Sequence, residues 1–282
     1  MNICNKQAIS MYEDEYGYEY PKIDSSLCVE CGLCKKVCSY QSQNIKKEVK
    51  KVYAAAAKDN NLIMKSASGG VFGELAKAII EKGGVVYGAA MLVEDNMLVP
   101  KHIRVNKTED LEKLQGSKYV QSSIGRAYTE VEKDLQKGET VLFSGTPCQV
   151  AGLKGYLRQD YEKLYTVDII CHGVPNAKMF NDYITECMNK YKCSIIDYKF
   201  RNKRKGWGLN ASLTYQTYRG NIKIKLIPSG ASSYYDMFLK SEIYRDNCYD
   251  CPYACGERVG DITLGDFWGI QHLHPTFMKA NG

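Results

Sequence analysis

Four cysteines fall at Cys28, Cys31, Cys34 and Cys38, separated by two, two and three residues, with Gly32 inside the run. Thiolates this closely spaced wrap one corner of a [4Fe-4S] cubane, and Gly32 lets the backbone approach inorganic sulfide. A structural zinc module offers two separated C-x2-C pairs instead, so zinc is the weaker alternative. The chain carries twelve cysteines in 282 residues. A disulfide framework of that density belongs to small secreted domains. Residues 1–10 show no basic stretch followed by an apolar one, the mark of a secretory signal. No apolar run approaches the roughly 18 residues of a membrane helix. The sequence therefore reads as cytoplasmic, with its cysteines kept as thiols and used as cluster ligands or small buried hydrophobes.

The run has the spacing of bacterial ferredoxins, in which the fourth cysteine of each run ligates the other cluster. Cys4, followed closely by Ala8-Ile9, resembles the tail of a first run whose upstream cysteines are absent. One ligand set is Cys28, Cys31 and Cys34 with Cys4; the rival gives the fourth place to Cys38. Asn5 and Ser39 replace the proline that usually follows the last cysteine of each run, which loosens the turn and removes no ligand.

The first fifty residues read as an α+β ferredoxin-like module, and a lysine-rich stretch at 46–51 marks a boundary. Beyond it, strands at 52–57, 85–93, 140–144 and 165–170 alternate with helices at 71–82, 124–137, 149–159 and 177–190, predicting an α/β core with a largely parallel sheet over residues 51–195. Residues 196–282 turn strand-rich, with alternation at 209–218 and 222–227.

Cys148 and Cys171 each follow a predicted strand, at strand-to-helix corners where open parallel sheets bind ligands. Cys248 and Cys251 add a C-x2-C pair, giving four candidate ligands for a second cluster, with Cys255 as a substitute and Cys187 and Cys193 as structural residues. Ser68-Gly69-Gly70 and Gly145-Thr146 open helices, where free amides favour phosphate oxygens, although neither is a P-loop or G-x-G-x-x-G. His102, His172, His272 and His274 form no catalytic constellation, and His172 stands out only as the neighbour of Cys171. The formal charge is +6, and five cations crowd residues 199–205. That run is either a solvated face or a seat for an anionic cofactor or partner. No recognition module accompanies it, so nucleic acid is not expected.

Ser68-Gly-Gly-Val-Phe72, Gly116-Ser-Lys-Tyr-Val-Gln-Ser122, Gly145-Thr-Pro-Cys-Gln149, Cys171-His-Gly173, Phe200-Arg201 with Gly206-Trp-Gly208, and the stretch from Asp261 to Gly269 together resemble the coenzyme F420 hydrogenase/dehydrogenase beta subunit family. The resemblance spans nearly the whole chain. It implies a fold that holds FAD beside a [4Fe-4S] cluster and passes electrons to a deazaflavin or comparable acceptor. By position it implies Cys148, Cys171, Cys248 and Cys251 as ligands of the inner cluster, and Ser68, Gly69, Gly70, Lys118, Tyr119 and Thr146 near the flavin. It also implies a fragment, starting within the first ferredoxin run and ending where the family continues through more sheet.

The expected function is an oxidoreductase joining one or two clusters, FAD and a soluble acceptor such as coenzyme F420, served by a redox partner protein or ferredoxin. The alternative is a non-catalytic, ferredoxin-like electron-transfer subunit. A zinc-bound structural protein is the third reading.

Overall fold

The computed structural model describes residues 3–41 and 46–277. At the amino terminus β1 (Ile9–Glu13) and β2 (Glu19–Ile23) form an antiparallel ladder, followed by a one-turn helix, α1 (Leu33–Lys36). The next elements are α2 (Asn60–Lys65), α3 (Val71–Glu81), β3 (Val85–Glu94), β4 (Met97–Val105) and a 3-10 turn at Thr108–Lys113. Then come α4 (Ala127–Gln136), β5 (Val141–Gly145), α5 (Pro147–Leu157), β6 (Leu164–Ile169) and α6 (Ala177–Tyr191). The chain continues through β7 (Cys193–Lys199), β8 (Asn210–Thr217), β9 (Ile222–Pro228), α7 (Ser233–Leu239), α8 (Asp246–Tyr249), β10 (Ile262–Leu264) and α9 (Ile270–Leu273).

The central sheet has the order β10-β6-β5-β3-β4. Its pairings are parallel except for the β3–β4 hairpin at one edge. Alternation along the inner strands feeds two cores. Val85, Tyr87, Val141 and Phe143 face α4 and α5, while Val86, Ala90, Leu142 and Val167 face α3 and the 3-10 turn. In α3 the apolar residues Phe72, Leu75, Ala76, Ile79 and Ile80 recur at helical spacing and lie on the sheet. The antiparallel sheet β7-β8-β9 packs with α6 and α7 around a third core rich in aromatic rings.

Two expectations change. Residues 52–57 form no strand: Val52 and Tyr53 are exposed, and the segment is tied down where the Ala57 amide donates to the Gly69 carbonyl at 2.6 Å. β4 appears where no strand was expected. Asp95 and Asn96 both take positive φ, 48° and 61°, the turn that folds β4 back on β3. Pro100 sits within β4, which is tolerable because β4 is an edge strand. Helices α7 and α8 were also unexpected. Among the described residues no helix is long and apolar enough to cross a membrane.

Candidate functional site

The parallel strands β5, β6 and β10 end on one side of the sheet, and the segments that follow them line a cleft of about 2630 Å³. Cys148 lies in the first turn of α5, after β5. Cys171 lies two residues beyond β6. Cys248 is carried by α8 and Cys251 follows it. Cys148, Cys171 and Cys248 line the cleft, while Cys251 packs with Cys148 against the core beneath α5.

Electrostatics bring these four thiols together. Burial pushes the Cys148 thiol up, and negative charge on Cys251 and Cys248 raises it further. Burial likewise pushes Cys171 up to about 12, with Cys148, Cys248 and Cys251 adding to the effect. Cys248 is raised by burial and then by Cys251. Opposing this are backbone donors at Gly173 for Cys171 and at Val174 for Cys248, and the Thr146 hydroxyl 3.1 Å from Cys148 Sγ. The arrangement is hostile to bare thiolates yet carries donors aimed at sulfur. Among the described residues no three His, Cys, Asp or Glu side chains stand close enough for one metal ion. A cluster, whose own iron and sulfide occupy the space between thiolates, tolerates the wider separation that a single ion does not.

Other candidates are placed as follows. Cys4 and Cys28 flank the same end of the β1–β2 ladder: Ile9 pairs with Ile23, and the Cys28 amide donates to the Asp24 carbonyl at 3.0 Å. Cys34 sits in α1 and Cys31 is exposed. Cys38 lies toward the inner group, because Tyr253 is raised by burial first and then by Cys148, Cys251 and Cys38 alike. Tyr253 donates to the Ser39 carbonyl at 2.6 Å and meets Tyr40 edge to face. The Cys38 turn also touches α5: a Cβ at Gly155 would stand 2.5 Å from the Val37 carbonyl oxygen. Cys255 is exposed, Cys187 is buried among apolar residues, and Cys193 opens β7.

The two glycine corners differ. Gly70 caps α3 in the left-handed region, φ 83°, with no side-chain cap, so the first amides of α3 have no partner from a capping side chain. A Cβ at Gly69 would stand 2.8 Å from the Ala55 carbonyl oxygen, so the corner needs glycine there for close backbone approach. At α5, by contrast, Thr146 and Gln149 form a capping box, with the Thr146 amide donating to Gln149 Oε1 at 3.0 Å. The Lys118 ammonium donates to the carbonyls of Lys113 and Gln115, and burial pulls its pKa down to about 7. Ser68, Gly69, Gly70, Lys118, Tyr119 and Thr146 all line the cleft.

Several residues gain contacts that the sequence alone does not assign. The basic run is not one solvated face: Lys199 pairs with Glu112 at 3.1 Å, and Lys203 donates to the carbonyls of Ile63 (2.7 Å) and Ser68 (2.5 Å). Arg201 is buried against Asp266, beside the paired tryptophans. Fully buried Asp168 accepts from the Arg258 guanidinium and from the amides of Val259 and Gly260, fixing the loop after the last cysteines. His102 donates from Nε2 to the Ser144 carbonyl, so its Nδ1 accepts from the Ser122 hydroxyl, each at 3.0 Å. His172 meets the Tyr244 hydroxyl, which donates to the Phe238 carbonyl at 2.8 Å. These residues act through partners far away in sequence, such as Asp266 for Arg201 and Ile63 for Lys203, which no local pattern announces.

Two family models match, for the beta subunit of coenzyme F420 hydrogenase/dehydrogenase: its N-terminal part over residues 52–127 and its C terminus over residues 138–280. The chain belongs to the coenzyme F420 hydrogenase/dehydrogenase beta subunit family. Among family relatives, a subunit of the F(420)H(2) dehydrogenase of Methanosarcina mazei is 24% identical over 204 residues, covering 71% of this chain and 55% of that protein. The coenzyme F420-dependent sulfite reductase of Methanocaldococcus jannaschii is 29% identical over 164 residues, covering 56% of this chain and 25% of that protein. The chain thus matches about half of one curated relative and a quarter of the other. A solved chain of the F420-reducing [NiFe] hydrogenase complex from Methanosarcina barkeri aligns at 18% identity, TM-score 0.47, over 75% of this chain and 68% of that one.

Proposed function

We propose that this beta-subunit family member is an iron-sulfur flavoprotein that passes electrons between [4Fe-4S] clusters, FAD and coenzyme F420 or a comparable soluble acceptor. The observation that carries this reading is that Cys148, Cys171 and Cys248 line one cleft, with Cys251 packed on the same core as Cys148, and that this cleft also holds an uncapped helix start. Four thiols gathered around one cleft suit a donor set whose charge a cluster neutralises. Cys148, Cys171, Cys248 and Cys251 would hold the inner cluster, and Gly173, Val174 and Thr146 would donate to its sulfur ligands. The amides opening α3 would meet the cofactor's phosphates, with Ser68, Gly69 and Gly70 giving the backbone its close approach. Lys118, Tyr119 and Thr146 would border the flavin. When bound, the clusters move single electrons and FAD exchanges two electrons with a proton, as a hydride.

In the amino-terminal module, whose ferredoxin-like character is part of this proposal, Cys4 joins Cys28, Cys31 and Cys34. The hairpin supports that set by bringing Cys4 and Cys28 to one end. Tyr40 and Tyr253 would fill the space between the two cysteine groups and exclude water from it. A partner protein or ferredoxin would supply or take electrons at the exposed Cys31 side. The non-catalytic alternative requires no acceptor pocket, and a cleft of about 2630 Å³ weighs against it.

Anaerobic purification followed by iron, sulfide, zinc and flavin analysis per chain tests the reading. The expected result is iron and sulfide for two clusters with one FAD. Zinc alone, or iron and sulfide that never bring flavin under reconstitution, overturns it.

A further inference from the structure

Arg201 holds an unanswered donor. Its side chain is 2% exposed, and its Nε–H donates to the Gly208 carbonyl at 2.7 Å. Nη1 donates to Asp266 Oδ2 at 2.7 Å and to the Tyr119 hydroxyl at 3.1 Å. Nη2 is buried and has no hydrogen-bond partner. Buried donors left orphaned in a folded protein call for an acceptor. Because Asp266 already balances the guanidinium charge, a neutral carbonyl oxygen fits there better than a phosphate or carboxylate.

Beside this donor lie Trp207 and Trp268, the only two tryptophans of the chain. Their rings meet at 4.2 Å between centroids, tilted by 35°, although they come from separate segments. The Arg201 guanidinium carbon stands 5.7 Å and 5.4 Å from the two centroids. Both rings stay open to solvent, 37% and 52% exposed, and both line the cleft. Exposed paired indoles beside a buried donor make an aromatic platform with one polar anchor, the usual composition of a small-molecule site.

We infer that Trp207, Trp268 and Arg201 seat a planar heterocycle bearing ring carbonyl oxygens, a flavin or deazaflavin ring, which stacks on the indole pair and accepts a hydrogen bond from Arg201 Nη2. The identity of the ring rests on the proposed flavoprotein function, and the test keeps the two apart.

The protein reports on this site through its own tryptophan emission, since it has no other indoles. FAD content is fixed and measured first. Emission is then followed on FAD loading, on adding 8-hydroxy-5-deazaflavin to FAD-loaded protein, and on adding ADP as a ringless control. Saturable quenching at the first step assigns the seat to the flavin, and at the second to the deazaflavin; either supports the inference. Trp268→Ala should weaken ring binding about tenfold, with Trp268→Phe restoring most of it. Arg201→Lys should also cost about tenfold, because a single ammonium nitrogen at Asp266 cannot also stand at the Nη2 position as the planar guanidinium fork does. Thermal midpoints recorded in parallel show whether each variant folds, and half-exposed Trp268 keeps the test alive if Arg201→Lys does not.

Stoichiometric FAD with unchanged emission and unchanged ring affinities in both variants overturns the seat and leaves the flavoprotein reading standing. Quenching by ADP equal to that by either ring also overturns it. If no FAD is retained yet an added ring binds with this dependence on Trp268 and Arg201, the seat stands and the FAD reading falls.

Discussion

His102 is a neutral imidazole held by two hydrogen bonds, and burial pulls its pKa down to about 4. Between that value and its ordinary 6.5 the unfolded chain binds a proton that the folded one does not. Stability is therefore complete above pH 6.5 and falls as pH drops toward 4, by up to about 3 kcal/mol. Thermal midpoints of the wild type and His102→Gln across that window should diverge in slope; parallel slopes would reject the assignment. Asp168→Ala strands the buried Arg258 guanidinium and two amides, which should cost about 3 kcal/mol or more. Urea unfolding measures it, and a loss under 1 kcal/mol would show the loop held by other means. Cys4→Ala should remove one cluster's iron while Cys38→Ala keeps it, as read by iron content and low-temperature EPR; the reverse pattern gives the fourth place to Cys38. At this scale the cysteines were legible because spacing is ligand geometry written along the chain. Arg201 was not, because its meaning lies in an unpaired Nη2 that only three-dimensional accounting exposes.

The two helix starts predict opposite consequences at the scale of elements. Gly69→Ala places a Cβ against the Ala55 carbonyl and should lower the flavin retained per chain. Thr146→Ala breaks a capping box and removes the hydroxyl beside Cys148, so it should cost about 1 kcal/mol of stability and lower flavin content less than Gly69→Ala does. Greater flavin loss in Thr146→Ala than in Gly69→Ala would mean that α5, not α3, receives the phosphates. The helices α3, α4 and α6 are readable from apolar periodicity, α5 from its Thr146-Pro147 start, and the strands β3, β5 and β6 from short apolar runs between them. β4 escaped because its pattern begins after a single charged turn, Glu94-Asp95-Asn96, although that Asp-Asn pair is itself a hairpin signal. Residues 52–57 read as a strand by composition, but the sheet edge beyond β3 is occupied by β4.

For the whole molecule, the contact between α5 and the amino-terminal module decides whether the cysteine groups stay in register. Gly155→Ala would gain about 1 kcal/mol from helix propensity alone. Its Cβ meets the Val37 carbonyl, however, so we expect net destabilisation and faster amide exchange over residues 28–41. A more stable variant with unchanged exchange would show that the module is not seated there.

The reach of Lys203 has a temporal consequence. Its ammonium crosses from the strand-rich half to grip the Ile63 and Ser68 carbonyls, on either side of the bend leading into α3. A nascent chain that has emerged only as far as the central strands lacks this brace. The bend thus completes its shape only after residue 203 has been made, and any nucleotide it accepts would be loaded after that point.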